Sequence, residues 1–121
     1  MQTPNTPSPT EMLVACLCAD WCGTCREYQP LFDQLQTQFP SAGFLWVDVE
    51  DESELVDPIE VENFPTLLLA TREQVRFFGP VLPHRETLVR LIETRLAPDA
   101  TEQAADTEVR ALARRLWERA L

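Results

Sequence analysis

Met12-Leu13-Val14-Ala15-Cys16-Leu17-Cys18-Ala19-Asp20-Trp21-Cys22-Gly23-Thr24-Cys25 is the stretch on which the fold turns. Its apolar run closes at Ala19-Asp20, the pattern of a strand buried on both faces of a sheet. From Cys22 onward, Tyr28, Leu31, Phe32, Leu35 and Phe39 recur at intervals of three and four, which puts them on one side of a helix ending at Pro40. Cys22 and Cys25 thus fall where a buried strand hands over to a helix. Unpaired backbone N–H groups and the dipole at a helix N-terminus favour a thiolate over a thiol. Cys22 is the expected nucleophile. One helical turn brings Cys25 to it, so Cys25 is expected to attack a mixed disulfide formed at Cys22 and release the reduced product. Gly23 and Thr24 keep that turn small.

Outward from this junction, Pro30 removes one backbone donor inside the helix and is expected to kink it. Residues 44–50 read as a second strand and 55–61 as a short, poor helix broken by Pro58. Phe64-Pro65 leads into a third strand at 66–71, and a fourth follows at 75–78. The residues between the last two, Arg72-Glu73-Gln74, hold no Gly or Asn, so a hairpin there follows from strand spacing and not from turn chemistry. Pro83 suits the first position of a helix with the stripe Leu88, Leu91, Ile92 and Leu96. A last helix from about Thr101 carries Val109, Leu112, Ala113, Leu116 and Ala120 on one face. Two strands joined by a long helix make a parallel pair with a right-handed crossover. The expected fold is therefore α/β: a four-stranded mixed sheet of two parallel strands plus an antiparallel hairpin, flanked by helices, with an extra C-terminal helix.

These residues resemble the thioredoxin family over roughly residues 12–97. The segment 19–25 looks like the family's active site, Pro30 like its helix-kinking proline, and Phe64-Pro65-Thr66-Leu67 like its cis-proline segment followed by a strand. Gly79 is similar to a glycine beside the substrate groove. The resemblance implies a thioredoxin-like fold and a thiol-disulfide oxidoreductase working through Cys22 and Cys25, with disulfide-containing protein substrates. It implies a cis Pro65, with the backbone of Phe64 meeting an extended substrate segment and Thr66 among the substrate-binding residues. Trp21, Val49, Phe64 and Phe78 would line the apolar surface around the cysteines. No bound cofactor is implied, since the electrons reside in the cysteine pair. A thioredoxin-reductase-type flavoenzyme would recharge it.

Three departures from the family stand out. Only residues 1–11 precede the first strand, where the family has an extra strand and helix. Cys16 and Trp46 occupy the places of the family's buried acid and its lysine partner, which removes the usual proton relay to Cys25. Thr24 stands where reducing members often carry Pro, a position at which changes shift the redox potential.

Composition narrows the alternatives. A chain of 121 residues is sized for one domain. Residues 1–11 contain three prolines and no basic residue, and read as a disordered tail without a secretory signal. Residues 12–97 form the domain, and 98–121 an amphipathic helix docked on it. The longest apolar run, eight residues, is under half the ~20 a membrane-spanning helix needs. A cytoplasmic monomer is expected. The net charge of −10, with every basic residue an Arg, argues against nucleic acid and anionic membranes as partners.

Plainer readings compete at several positions. Cys16, Cys18, Cys22 and Cys25 could in principle ligate a metal, but alternate strand residues converge poorly with a helix N-terminus in tetrahedral geometry, so no metal site is expected. Cys16 and Cys18 read as small core residues, with Cys18 a candidate third thiol. His84 reads as a solvated helix-start residue. Eight acids and no base between Asp48 and Glu62 read as a solvated face that could favour basic substrates. The last helix is expected to cover the sheet face left open by the missing N-terminal helix, and the competing account is dimerisation through its stripe. The competing function is a thioredoxin-like binding module in which redox turnover is incidental.

Overall fold

In the computed structural model, which describes residues 12–19, 21–57, 59–96 and 107–120, with Leu96 described through its backbone alone, the run Met12–Cys18 forms a strand (β1) whose seven residues are all buried. β1 is inner in the sheet. Its parallel neighbour is β2 (Ala42–Asp48), reached through helix α1 (Gly23–Leu35), and its antiparallel neighbour is β3 (Thr66–Ala70), which pairs in turn with β4 (Val75–Pro80). The strand order is β2-β1-β3-β4, the mixed four-stranded sheet expected from the spacing of the apolar runs. The remaining helices are α2 (Ser53–Val56), α3 (Arg85–Leu96) and α4 (Thr107–Ala120). Among the described residues no helix is long and apolar enough to cross a membrane.

Side chains alternate across β1 and divide the core in two. Met12, Val14, Cys16 and Cys18 pack with Tyr28, Phe32 and Leu35 of α1 and with Leu88 and Ile92 of α3. Leu13, Ala15 and Leu17 point the other way and pack with Leu112, Ala113, Leu116 and Trp117 of α4. The indole Nε1 of Trp117 donates to the Thr71 carbonyl at 2.9 Å, while Arg115 donates to the carbonyls of Leu55 and Asp57, each at 2.8 Å. Arg119 pairs with Glu52. α4 thus lies on its own chain's sheet, opposite α1 and α3.

Element boundaries differ from the sequence expectations for local reasons. α1 stops at Leu35 rather than Pro40, because Gln36 closes it and the Gln38 amide turns back to the Leu35 carbonyl at 3.0 Å. Phe39, half-buried, packs from outside the helix. β2 begins two residues early and ends at Asp48, whose carboxylate accepts the Glu50 and Asp51 amides at 2.9 and 3.1 Å in a local turn. α2 is one turn that ends before the expected helix is under way. Asp57, which precedes Pro58, is extended at ψ 145°, as the residue before a proline prefers. The β3–β4 hairpin is built on Thr71, whose hydroxyl accepts the Gln74 amide at 3.0 Å and whose own amide donates to the Gln74 carbonyl at 2.8 Å. Such a threonine turn needs no glycine. α3 starts at Arg85 and not at Pro83, with the His84 carbonyl accepting the first helical bond from Leu88. The expected start of the last helix near Thr101, and the tail 1–11, lie outside the described residues.

Candidate active site

Cys22 is the N-cap residue of α1, with extended backbone (φ −85°, ψ 118°) and no hydrogen bond from its side chain to the helix among the described residues. Its amide donates to the Ala19 carbonyl at 3.0 Å, which ties the helix start to the end of β1. Cys22 thus stands at the helix end whose first-turn N–H groups have no partner within the helix, and its half-buried sulfur is not in a disulfide. Trp21, 63% exposed, stands beside it, and its ring meets that of Phe64 edge-on at 5.6 Å between centroids. Gly23 has nothing within 4 Å of where a Cβ would sit, and Thr24 is exposed. The rim of the site is open.

Behind that rim the site is dry. Cys25 is 1% exposed and is bonded to Cys18, not to Cys22, across a Cα–Cα distance of 5.8 Å. Cys18, the last residue of β1, reaches Cys25 because strand alternation turns it toward α1. Cys16, two residues back on the same face, has its Sγ 3.7 Å from the Cys18 Sγ. A sulfur in a disulfide has no proton to give, so in this state Cys16 is the donor. Burial pushes the Cys16 thiol well above the usual thiol range. Burial, with Cys16 adding to it, likewise raises the Tyr28 hydroxyl, which has no hydrogen-bond partner among the described residues. Trp46 is the β2 partner of Cys16 and packs on Phe32 at 5.6 Å between ring centroids. Among the described residues Thr66 is the one buried polar or charged residue.

Of the residues expected around the cysteines, the Phe64–Pro65 peptide is cis, Pro65 is buried, and its carbonyl accepts the Val81 amide at 3.1 Å. The Thr66 hydroxyl donates to the Asn63 carbonyl at 2.6 Å. Phe64 and Cys22 pack against the same core cluster. Val49 and Phe78 pack instead against the cluster on the α4 side of the sheet, although the Val49 amide donates to the Cys18 carbonyl at 2.8 Å. Phe78, Gly79 and Thr66 share a cleft with Glu60, Glu62 and Asn63. A Cβ at Gly79 would make only ordinary contact with the Phe77 ring at 3.6 Å. His84 is exposed, and Asp20 lies outside the described residues. Among the described residues no group of three or more His, Cys, Asp or Glu side chains could hold a metal ion.

Comparison with known proteins points one way. The family model described as Thioredoxin matches residues 6–93. Thioredoxin H2-1 of Oryza sativa subsp. japonica is 36% identical over 61 residues, 50% of this chain and 44% of that protein. The chain thus spans less than half the length of that relative. A Streptomyces coelicolor protein bearing the thioredoxin name is 29% identical over 112 residues, covering 93% of this chain and 70% of that one. The crystal structure of mitochondrial thioredoxin 3 from Saccharomyces cerevisiae, in its oxidised form, superposes with a TM-score of 0.61 at 26% identity, covering 69% of this chain and 78% of that one.

Proposed function

The chain belongs to the thioredoxin family, and from that premise we propose that it is a thiol-disulfide oxidoreductase that reduces or exchanges disulfides in other proteins. Cys22 attacks one sulfur of the substrate disulfide, and the second leaves as a thiolate. Cys25 then attacks the Cys22 sulfur of the mixed disulfide and frees the remaining substrate thiol, so two electrons pass from the dithiol to the substrate. The position of Cys22 carries this reading: a free, half-buried thiol capping α1, with Cys25 one turn behind it and the Phe64–Pro65 segment alongside. The exposed Trp21 ring on Phe64 offers an apolar platform for the substrate chain, and the Phe64 backbone offers it hydrogen bonds. Gly79, in the cleft it shares with Thr66, extends that surface.

In this reading the protein acts as a cytoplasmic monomer without a bound cofactor and is re-reduced by a thioredoxin-reductase-type flavoenzyme. Insulin reduction by the dithiothreitol-reduced chain tests it. Wild type is expected to precipitate the insulin B chain, Cys22→Ser to lose at least 100-fold in rate, approaching the dithiothreitol background, and Cys25→Ser to accumulate mixed disulfides with the substrate. A Cys22→Ser variant that keeps both its cellular role and its partners would replace the enzyme with a binding module.

A further inference from the structure

We propose that Cys18 is a second resolving thiol, which takes Cys25 from a Cys22–Cys25 disulfide, moves the oxidised pair into the core and returns Cys22 as a free nucleophile. This rests on the redox reading of Cys22 and Cys25 above. Three sulfurs lead inward from the surface: Cys22 is half-buried, Cys25 is 1% exposed, and Cys18 is fully buried. Cys25 is within reach from both sides, from Cys22 one helical turn earlier and from Cys18 at the end of β1, to which it is bonded here. Their Cα separation of 5.8 Å is ordinary for a disulfide, so the link needs no rearrangement of β1 against α1. A disulfide in another protein has no path to a fully buried sulfur. Oxidation reaches Cys18 only through Cys22 and Cys25.

In the exchange, the Cys18 Sγ attacks the Cys25 Sγ and loses its proton as it does so. The Cys18–Cys25 bond forms as the Cys22–Cys25 bond breaks, and the electron pair of the broken bond leaves on the Cys22 sulfur. Cys18 gives up one proton and Cys22 takes up one, so nothing is oxidised or reduced overall and the disulfide has only changed place. Cys16 is poised to serve the reverse step, because its Sγ lies 3.7 Å from the sulfur that would leave, within reach of a hydrogen bond to it. Because Cys18 is fully buried, it meets a disulfide only once Cys25 carries one, so this exchange follows resolution by Cys25, and the proton that Cys18 loses is balanced by the one that Cys22 gains. The product is an oxidised chain whose surface thiol is free, the arrangement the structure holds.

The test starts from the fully reduced chain and insulin as the disulfide, sampled over time, with free thiols blocked by N-ethylmaleimide under denaturing conditions. Chymotrypsin cuts after Trp21 and so separates Cys18 from Cys22 and Cys25. Early samples are expected to hold Cys22 and Cys25 linked within one peptide. Later ones should show the Cys18 peptide cross-linked through Cys25, with maleimide on Cys16 and Cys22. In Cys18→Ser that second phase should vanish, and Cys22→Ser should stay fully reduced. An end state that remains Cys22–Cys25 with Cys18 labelled overturns the proposal and leaves the oxidoreductase reading standing. Cys18–Cys25 forming in Cys22→Ser at the wild-type rate overturns the relay as well. Labelling of all four cysteines throughout removes the oxidoreductase reading and this proposal with it.

Discussion

At the scale of single residues, Cys16 is the clearest case of an environment deciding a side chain's chemistry. Its thiol has no solvent contact and ionises only well above the usual range. In the unfolded chain it ionises near pH 8.5. Above that pH the unfolded state sheds a proton that the folded state keeps, so stability from this group is complete below pH ~8.5 and falls as pH rises, by ~1.4 kcal/mol per pH unit. Urea unfolding of the oxidised chain between pH 8 and 10 should show this decline, and Cys16→Ala should flatten it, with the rise at Tyr28 adding a similar loss only above pH ~10. A Cys16→Ala profile as steep as wild type would place the lost proton elsewhere. The types and positions of the four cysteines were legible in the sequence, down to Cys18 as a candidate third thiol. The bond between Cys18 and Cys25 was not, because it depends on how α1 leaves β1. Spacing along the chain ties Cys25 only to Cys22.

At the scale of elements, the apolar runs and their order disclosed the sheet, because its two inner strands are buried along their whole length and its outer two are half-buried runs of six and seven residues. Element ends and turns were less legible, since they are set by single hydrogen bonds such as those of Asp48 after β2 and Thr71 between β3 and β4, which periodicity does not register. α4 joins the two levels. Its amphipathic stripe is visible in sequence, but a stripe alone does not say which surface it meets. Here Leu112 and Leu116 are fully buried against Leu13, Ala15 and Leu17. Leu116→Ala should therefore cost about 2–5 kcal/mol in urea unfolding, whereas Arg114→Ala, on the exposed side of the same helix, should stay within about 0.5 kcal/mol of wild type. Equal effects at the two positions would mean that α4 contributes nothing to the core in solution.

At the scale of the whole molecule, charge bears on which substrates arrive. The chain carries a net −10, and the acids are not evenly spread: eight lie between Asp48 and Glu62, against no base. Glu60 and Glu62 line the cleft beside Thr66, Phe78 and Gly79, close in sequence to the Phe64–Pro65 segment that flanks Cys22. A negative field at the mouth of a site raises the encounter rate with cationic chains and lowers it with anionic ones, over a range of about 8–10 Å at physiological salt. Two unfolded protein disulfides matched in accessibility, one strongly basic and one strongly acidic, should therefore be reduced at rates differing by about tenfold at low ionic strength, the basic one faster. Raising the salt should bring the two rates together, chiefly by slowing the basic substrate, because screening acts on encounter and leaves sulfur chemistry at Cys22 untouched. Glu60→Gln with Glu62→Gln should narrow the gap in the same direction without changing the rate for a small neutral disulfide. Rates that ignore both salt and substrate charge would reduce the acidic stretch to a solvated surface with no part in substrate choice.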